Sequence, residues 1–161
     1  MRLKTFLTRL PLALVLFASV AGCQSITIQA ESGKPAVFTR ADIESLPHQK
    51  IATAPGDKPA SYDGVALKDV LQKAGVELGD SLKGKRLASY LLVEAADDYR
   101  VVIALPELDP AFNNKQFFLV YSRDGQPLDA KEGPYRIVIP DEKRMARWVR
   151  QVTALKIVDV Q

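Results

Sequence analysis

Short apolar runs separated by turn signals cover most of the chain, and this pattern predicts a fold built mainly from strands. The runs lie at 25–28, 36–38, 87–96, 99–105, 117–122, 135–139 and 149–160. Segment 25–28 alternates polar and apolar residues, which is the period of a half-buried strand. In 135–139 that alternation is broken, which indicates burial on both faces. Asp97-Asp98 and Asp124-Gly125 lie between neighbouring runs and predict hairpin turns.

Two segments carry helical signals instead. Thr39, with Asp42 three residues later, resembles a capping box and predicts the start of a short helix. Residues 65–74 place apolar side chains at helical spacing. The stretch 52–60 is rich in Pro and Gly and predicts a loop, and 62–64 predicts a turn. Together these elements predict an α+β domain with a mixed, mostly antiparallel β-sheet and a few short helices.

The first 22 residues have the pattern of a targeting segment rather than of a folded domain. A basic start precedes an apolar stretch at 10–22 that is too short to span a bilayer comfortably. This stretch ends in Val20-Ala21-Gly22-Cys23, which resembles a bacterial lipobox and predicts that Cys23 is lipidated. The alternative is an ordinary secretory signal that is cut elsewhere.

These signals also predict the domain organisation and the location. We expect a signal peptide at 1–22, a tether with the first strand at 23–35, and one domain at 36–161. A lipid on Cys23 would hold the protein to a membrane in the periplasm. Gln24 after it, rather than Asp, favours the outer membrane over the inner one by the habit of bacterial lipoproteins.

The charge balance and the cysteine content exclude some functions. The chain has 22 Lys and Arg against 19 Asp and Glu, but three of the basic residues and none of the acidic ones lie in 1–22. The remainder is therefore close to neutral and gives no support to nucleic-acid binding. Lipidation of Cys23, the single cysteine, would leave no thiol for a disulfide, a nucleophile or a metal ligand.

The second half of the chain concentrates groups that suit a small, flat, anionic molecule. Among the aromatic and guanidinium residues there, the candidates are Tyr99, Tyr121, Tyr135, Arg136, Arg144, Arg147 and Trp148. The sequence leaves open whether they meet in one pocket. Trp148 suits a core position equally well, and Arg136 suits an exposed strand position.

Two other features have both a functional and a structural interpretation. His48, the single histidine, could be a ligand or a base, but a histidine without a His or Cys partner is more often a loop residue. Asp97 and Asp98 could bind a metal or act as acid and base, yet adjacent acids at a turn are usually only solvated.

The order of motifs over roughly 36–160 resembles the molybdopterin-binding domain of the sulfite oxidase family. The chain has FTRADIESLP, then YDGVALKDVLQKAGV, then DGQPLDAKEGPYRIVIP, and finally RMARWVRQVTALKI, each similar to a family motif. Each motif alone is weak, whereas all of them in order and at compatible spacing are fairly specific for the fold. The resemblance implies a pterin or molybdopterin-type cofactor.

The resemblance also implies roles for individual residues. Tyr99 falls on the family's active-site tyrosine near the metal, and Arg136 on the arginine that follows the G-x-P step. Arg144, Arg147 and Trp148 fall in the segment that wraps the pterin and its phosphate, with Arg147 in place of the usual Lys. If a pterin binds, a carboxylate such as Asp97 or Asp98 would pair with its amidine-like edge.

The chain departs from the family at the residue that holds the metal. Catalytic members bind molybdenum through a cysteine in the loop that corresponds here to HQKIATAPGDKPASYDG, which contains no cysteine. A hydroxyl of Thr53 or Ser61 does not replace a soft thiolate. We therefore expect no catalytic residue, no protein-ligated metal and no oxygen-atom transfer by the family's usual mechanism.

Three functions fit these features. The first is a non-catalytic pterin-binding or sensing module that acts with a membrane or periplasmic partner protein. The second is a molybdopterin-dependent oxidoreductase that works with a redox partner and holds its metal without a protein thiolate. The third is a structural scaffold lipoprotein that uses only the fold.

Overall fold

The computed structural model describes residues 24–31, 33–53 and 58–160. The predicted signal peptide at 1–22 and the predicted lipidation site Cys23 lie outside these residues. No helix in the described ranges is long and apolar enough to cross a membrane.

Ten strands and two short helices form the described part of the chain. The strands are β1 (Ser25–Gln29), β2 (Ala36–Thr39), β3 (His48–Thr53), β4 (Ala60–Ala66), β5 (Tyr90–Ala95), β6 (Arg100–Ala104), β7 (Phe118–Arg123), β8 (Gln126–Pro127), β9 (Arg136–Val138) and β10 (Val152–Val158). The helices are α1 (Arg40–Glu44) and α2 (Leu67–Lys73), and 3₁₀ turns lie at Gly79–Ser81, Gly84–Ala88, Leu105–Leu108 and Met145–Arg147.

The strands form two sheets. The first has the order β2-β1-β10-β5-β6, and the second has the order β3-β4-β7-β8 with β9 also paired to β7. The β1–β10 pair is parallel, with Thr27 opposite Ala154, and all other pairs are antiparallel. The predicted α+β class with mixed, mostly antiparallel pairing is confirmed.

One apolar core joins the two sheets. In β1 and β5 every second side chain is buried, so one face of the first sheet faces this core. Strand β9 is buried on both faces, and Tyr135 and Ile139 beside it are also buried, as the broken alternation of 135–139 predicted. Strand β9 therefore lies inside the domain.

Local turn and cap signals predicted several elements correctly. The Thr39 side chain accepts a hydrogen bond from the Asp42 backbone, and the Asp42 carboxylate accepts one from the Thr39 backbone, so the capping box is present. Asp98 (φ 64°) and Asp124 (φ 52°) take left-handed backbone conformations in the two predicted hairpin turns.

The turn predicted at 62–64 was wrong, because these residues lie inside β4. An added Cβ on Gly64 would lie 2.6 Å from the carbonyl oxygen of Leu119 in β7. This glycine therefore serves the close approach of two strands rather than a turn. The loop predicted at 52–60 was wrong at both ends, because β3 runs to Thr53 and β4 begins at Ala60. The predicted helix at 65–74 is shorter, since β4 continues to Ala66.

Candidate functional site

Arg136 and Trp148, two of the predicted ligand contacts, lie together in the core. Arg136 is 7% exposed and Trp148 is 4% exposed. The guanidinium carbon of Arg136 lies 5.6 Å from the ring centroid of Trp148 and 5.8 Å from that of Tyr62. We call Tyr62, Glu132, Arg136 and Trp148 the Arg136 cluster.

The polar groups of the Arg136 cluster are bonded mainly to one another and to the backbone. Arg136 Nη1 lies 2.5 Å from Glu132 Oε1 and donates to the Tyr62 hydroxyl over 3.4 Å. Burial raises the pKa of the Tyr62 hydroxyl, although Arg136 and Arg123 act in the opposite direction. The Trp148 indole N–H donates to the Ile139 carbonyl at 3.0 Å. The buried Nε of Arg136 has no hydrogen-bond partner within the described ranges.

Asp98, Tyr99 and Arg144 lie instead at the surface. Asp98 lies in the β5–β6 turn, and Arg144 precedes the 3₁₀ turn at Met145–Arg147. Tyr99 is 47% exposed, and its hydroxyl donates to the Ala146 carbonyl at 2.8 Å. That contact brings the β5–β6 turn next to the basic segment. The predicted contacts are therefore divided between the core and the surface.

Arg147 belongs to a separate group of charges, the ion network of Glu107, Lys115, Glu142 and Arg147. Arg147 donates to Glu142 and, at 3.3 Å, to Glu107. The hydrogen bond to Glu142 is the main cause that raises the pKa of the Arg147 guanidinium, and Glu107 adds to it. Lys115 lies 3.6 Å from Glu142 and 3.8 Å from Glu107. Two cations and two anions leave this network without net charge.

A cavity of about 270 Å³ opens beside α2 and the segment before β7. We call it the Lys68 cavity. Its lining residues are Gln49, Ala66, Lys68, Leu108, Pro110, Asn113, Asn114, Lys115, Gln116, Phe117 and Phe118. The volume is just below the roughly 300–1,000 Å³ that small-molecule sites occupy. None of the predicted contacts lines it, and sequence reasoning missed it because its residues come from three segments, at 49, 66–68 and 108–118, that are far apart in the sequence.

Side-chain hydrogen bonds fix the wall of the Lys68 cavity. Asp109 is 6% exposed, and its carboxylate accepts from the backbone N–H of Gly79 and, at 2.8 Å, from that of Ala111. The Asn113 amide donates to the Glu107 carbonyl at 3.2 Å and accepts from the Lys115 backbone at 2.7 Å. The segment from 105 to 117 is therefore held in shape by its own side chains.

His48 pairs with a tyrosine. Its Nδ1 lies 2.6 Å from the Tyr121 hydroxyl, and it begins β3 rather than lying in a loop. Burial raises the pKa of the Tyr121 hydroxyl, and Glu44 adds to that effect. The Arg40 guanidinium lies 3.8 Å from the Tyr121 ring centroid. This arrangement fastens α1 and β3 to β7.

Catalytic members of the family hold molybdenum through a protein thiolate, and the described residues of this chain offer no such donor. Within 24–31, 33–53 and 58–160, no three His, Cys, Asp or Glu side chains group closely enough to hold a metal ion. Cys23 is the single cysteine of the chain and lies outside those ranges. The residues present therefore do not fit the thiolate attachment of molybdenum. Ammonium and amide groups around the Lys68 cavity do fit the polar edge of a pterin ring.

Comparison with known proteins agrees with the resemblance that the motifs indicated. A family model described as the oxidoreductase molybdopterin-binding domain matches residues 53–161. The crystal structure of the sulfane dehydrogenase SoxCD from Paracoccus pantotrophus is similar with a TM-score of 0.64 and 20% sequence identity. The alignment covers 85% of this chain but only 38% of that chain, so the likeness concerns the fold of one part of a longer protein. No curated protein sequence matches the chain.

Proposed function

This chain belongs to the oxidoreductase molybdopterin-binding domain family, and we propose that it is a non-catalytic member that binds a pterin-type ligand. One observation carries the proposal: two of the three guanidinium groups that the resemblance assigns to the anionic cofactor, those of Arg136 and Arg147, are already paired within the chain. Arg136 pairs with Glu132, and Arg147 pairs with Glu142 and Glu107. A cofactor phosphate would have to displace these carboxylates, whereas the neutral ring of a pterin would not.

The donor chemistry of the matched region supports the non-catalytic part of the proposal. A molybdopterin, when bound, supplies a dithiolene pair of sulfur ligands to its metal. The region 53–161 contains no cysteine that could add the soft thiolate that catalytic members use. In the segment that corresponds to the family's cysteine loop, Thr53 ends β3 and Ser61 lies in β4, and both carry only hydroxyl groups.

Purification of the full chain from its native host tests the proposal. Elemental analysis would measure molybdenum, and fluorescence of the heat-released ligand would measure pterin. We expect pterin with less than one tenth of an equivalent of molybdenum. Stoichiometric molybdenum would instead support the oxidoreductase alternative, and the lack of any ligand, together with no affinity for added pterins, would support the scaffold alternative.

We extend the proposal to location and partners. The lipobox-like sequence supports a periplasmic protein that is lipid-anchored at Cys23, and Gln24 favours the outer membrane over the inner one. In this proposal the protein signals its ligand state to a membrane or periplasmic partner protein. Mass spectrometry of the mature N-terminal peptide tests the anchor directly. We expect a diacylglyceryl group on Cys23, and Cys23→Ser should move the protein from the membrane fraction to the soluble fraction. A mature N-terminus elsewhere would contradict the anchor.

A further inference from the structure

We propose that the Lys68 cavity, rather than the Arg136 cluster, is the ligand site of this chain, and that it takes a flat aromatic molecule with one carboxylate. The inference rests on the proposed pterin binding, because it names the place and the ligand class for that function. Three observations support it: space, charge and the rigidity of the wall.

The first observation is that the Lys68 cavity has open volume for a ligand and the Arg136 cluster does not. In the Arg136 cluster, Tyr62 is fully buried, and Arg136 and Trp148 are nearly so. The unpartnered Nε of Arg136 is buried as well, so a ligand could reach it only by displacing neighbouring side chains. The Lys68 cavity, in contrast, offers about 270 Å³ that is already open. A ring of pterin size needs no rearrangement of the core to enter it.

The second observation is which cation is available. Lys115 also lines the cavity, but it shares Glu107 and Glu142 with Arg147. Lys68 is half-buried, and in the described part of the chain no carboxylate pairs with it. One unpaired ammonium at a partly desolvated wall favours a ligand with one negative charge.

The other lining groups define the rest of the ligand. Leu108, Phe117 and Phe118 are buried and give the cavity an apolar wall. Gln49 and Gln116 are exposed residues that line the cavity, and their side-chain amides provide both donors and acceptors. An aromatic ring, a polar edge and one carboxylate match the apolar wall, the amides and the Lys68 ammonium in turn. Pterin-6-carboxylate carries all three features.

The third observation is that the wall is already shaped. The Asp109 carboxylate ties the 105–117 segment to Gly79, and the Leu67 N–H donates to the Phe117 carbonyl at 2.9 Å, which fixes α2 against the same segment. A site that is formed before binding loses less entropy when the ligand arrives.

Fluorescence titration of the purified full chain with pterin-6-carboxylate and with unsubstituted pterin tests the inference. We expect Lys68→Gln to weaken binding of the carboxylate about tenfold or more, as for loss of a charge-assisted hydrogen bond, and binding of unsubstituted pterin less than twofold. Gln49→Tyr, which narrows the opening from an exposed strand position, should weaken both ligands. Lys85→Gln, at an exposed lysine that does not line the cavity, is the matched control and should change neither.

Other results separate this inference from the proposed function. If pterins bind but only Tyr99→Ala and Arg144→Gln weaken them, the cavity is not the site and pterin binding stands. If pterins fail to bind but 2-naphthoate binds and Lys68→Gln weakens it tenfold, the site and the ligand class stand and pterin binding falls. If neither pterins nor 2-naphthoate bind the wild-type chain, both proposals are wrong.

Discussion

The Arg136 cluster and the Lys68 cavity each include a residue of β4, and they differ in free space and in the pairing of their charges. Strand β4 contributes Tyr62 to the cluster and Ala66 to the cavity. The cluster contains the Arg136 guanidinium and the Trp148 indole, which the family motifs assign to the ligand. These side chains are packed against one another and leave no open volume for a ligand. The cavity has open volume and an ammonium, that of Lys68, which has no carboxylate partner among the described residues, yet the resemblance assigned no ligand contact there.

This difference shows that a motif can preserve an arrangement of side chains without preserving room for a ligand. Arg136 lies between two aromatic rings and is paired with Glu132, so its charge is already neutralised where it is buried. Buried ion pairs of this kind require both partners to remain. The same residues that would hold a cofactor can therefore be retained for packing and charge balance.

Among the variants that distinguish the two regions, truncation of Trp148 should cause the largest loss of stability. Trp148→Ala removes a buried indole and should lower the free energy of unfolding by about 3–5 kcal/mol. Urea denaturation followed by circular dichroism would measure the loss. Trp148→Phe keeps most of the volume but loses the bond to the Ile139 carbonyl, and should cost about 1–2 kcal/mol. A loss below 1 kcal/mol for Trp148→Ala would mean that the indole is not a core element.

Removal of the buried Arg136 guanidinium should cause the second largest loss of stability. Arg136→Ala leaves the Glu132 carboxylate without its main partner, and we expect a loss of about 3 kcal/mol in the free energy of unfolding. The double variant Arg136→Met with Glu132→Gln removes both charges and should recover most of that loss. Ligand titration of the double variant should match the wild type. A tenfold weaker affinity there would place the ligand at the cluster.

Gly64 connects the two regions, and a side chain there should disturb both. Gly64→Ala would bring a Cβ against the Leu119 carbonyl and the Val120 Cα, at 2.6 and 2.8 Å. Backbone atoms must then move, at a cost of about 1–3 kcal/mol. We expect a lower urea midpoint and, in the same variant, weaker ligand binding. An unchanged midpoint would show that β4 and β7 can separate without loss.

Asp109 should affect the cavity more than the cluster. The backbone N–H groups of Gly79 and Ala111 bond to different oxygens of Asp109, so Asp109→Asn can keep only one of the two bonds, and we expect about 1–2 kcal/mol of destabilisation. Ligand affinity should fall several-fold because the wall loosens. The tryptophan emission maximum, which reports on the packing around Trp148, should stay constant. A shift in that maximum would mean that the two regions are coupled.

The smallest effect should come from the surface contact of Tyr99. Tyr99→Phe loses the exposed hydrogen bond to the Ala146 carbonyl and should change the free energy of unfolding by about 0.5–1 kcal/mol. Binding of pterin-6-carboxylate should remain within twofold of wild type, measured by the same titration. A larger loss of affinity would restore Tyr99 as a ligand contact.

Much of the fold could be predicted from local patterns, whereas the candidate site could not. The capping box at Thr39, the Asp124-Gly125 turn and the double-sided burial of 135–139 each depend on neighbouring residues, and each is present. Gly64 was misread because its requirement comes from Leu119, a residue 55 positions away in the sequence. Lys68 gave no signal, since only the folded chain places it beside the 108–118 segment.

The position of β1 has a consequence for how the protein would sit on a membrane. Strand β1 begins at Ser25 and is held between β2 and β10, and Gln24 before it accepts a hydrogen bond from the Tyr135 hydroxyl. Under the proposed lipidation of Cys23, only Gln24 separates the lipidated residue from a rigid sheet, a reach of roughly 7 Å. The domain would lie directly against the membrane surface, and the short tether would limit its reorientation. A partner protein would therefore have to bind it close to the lipid headgroups.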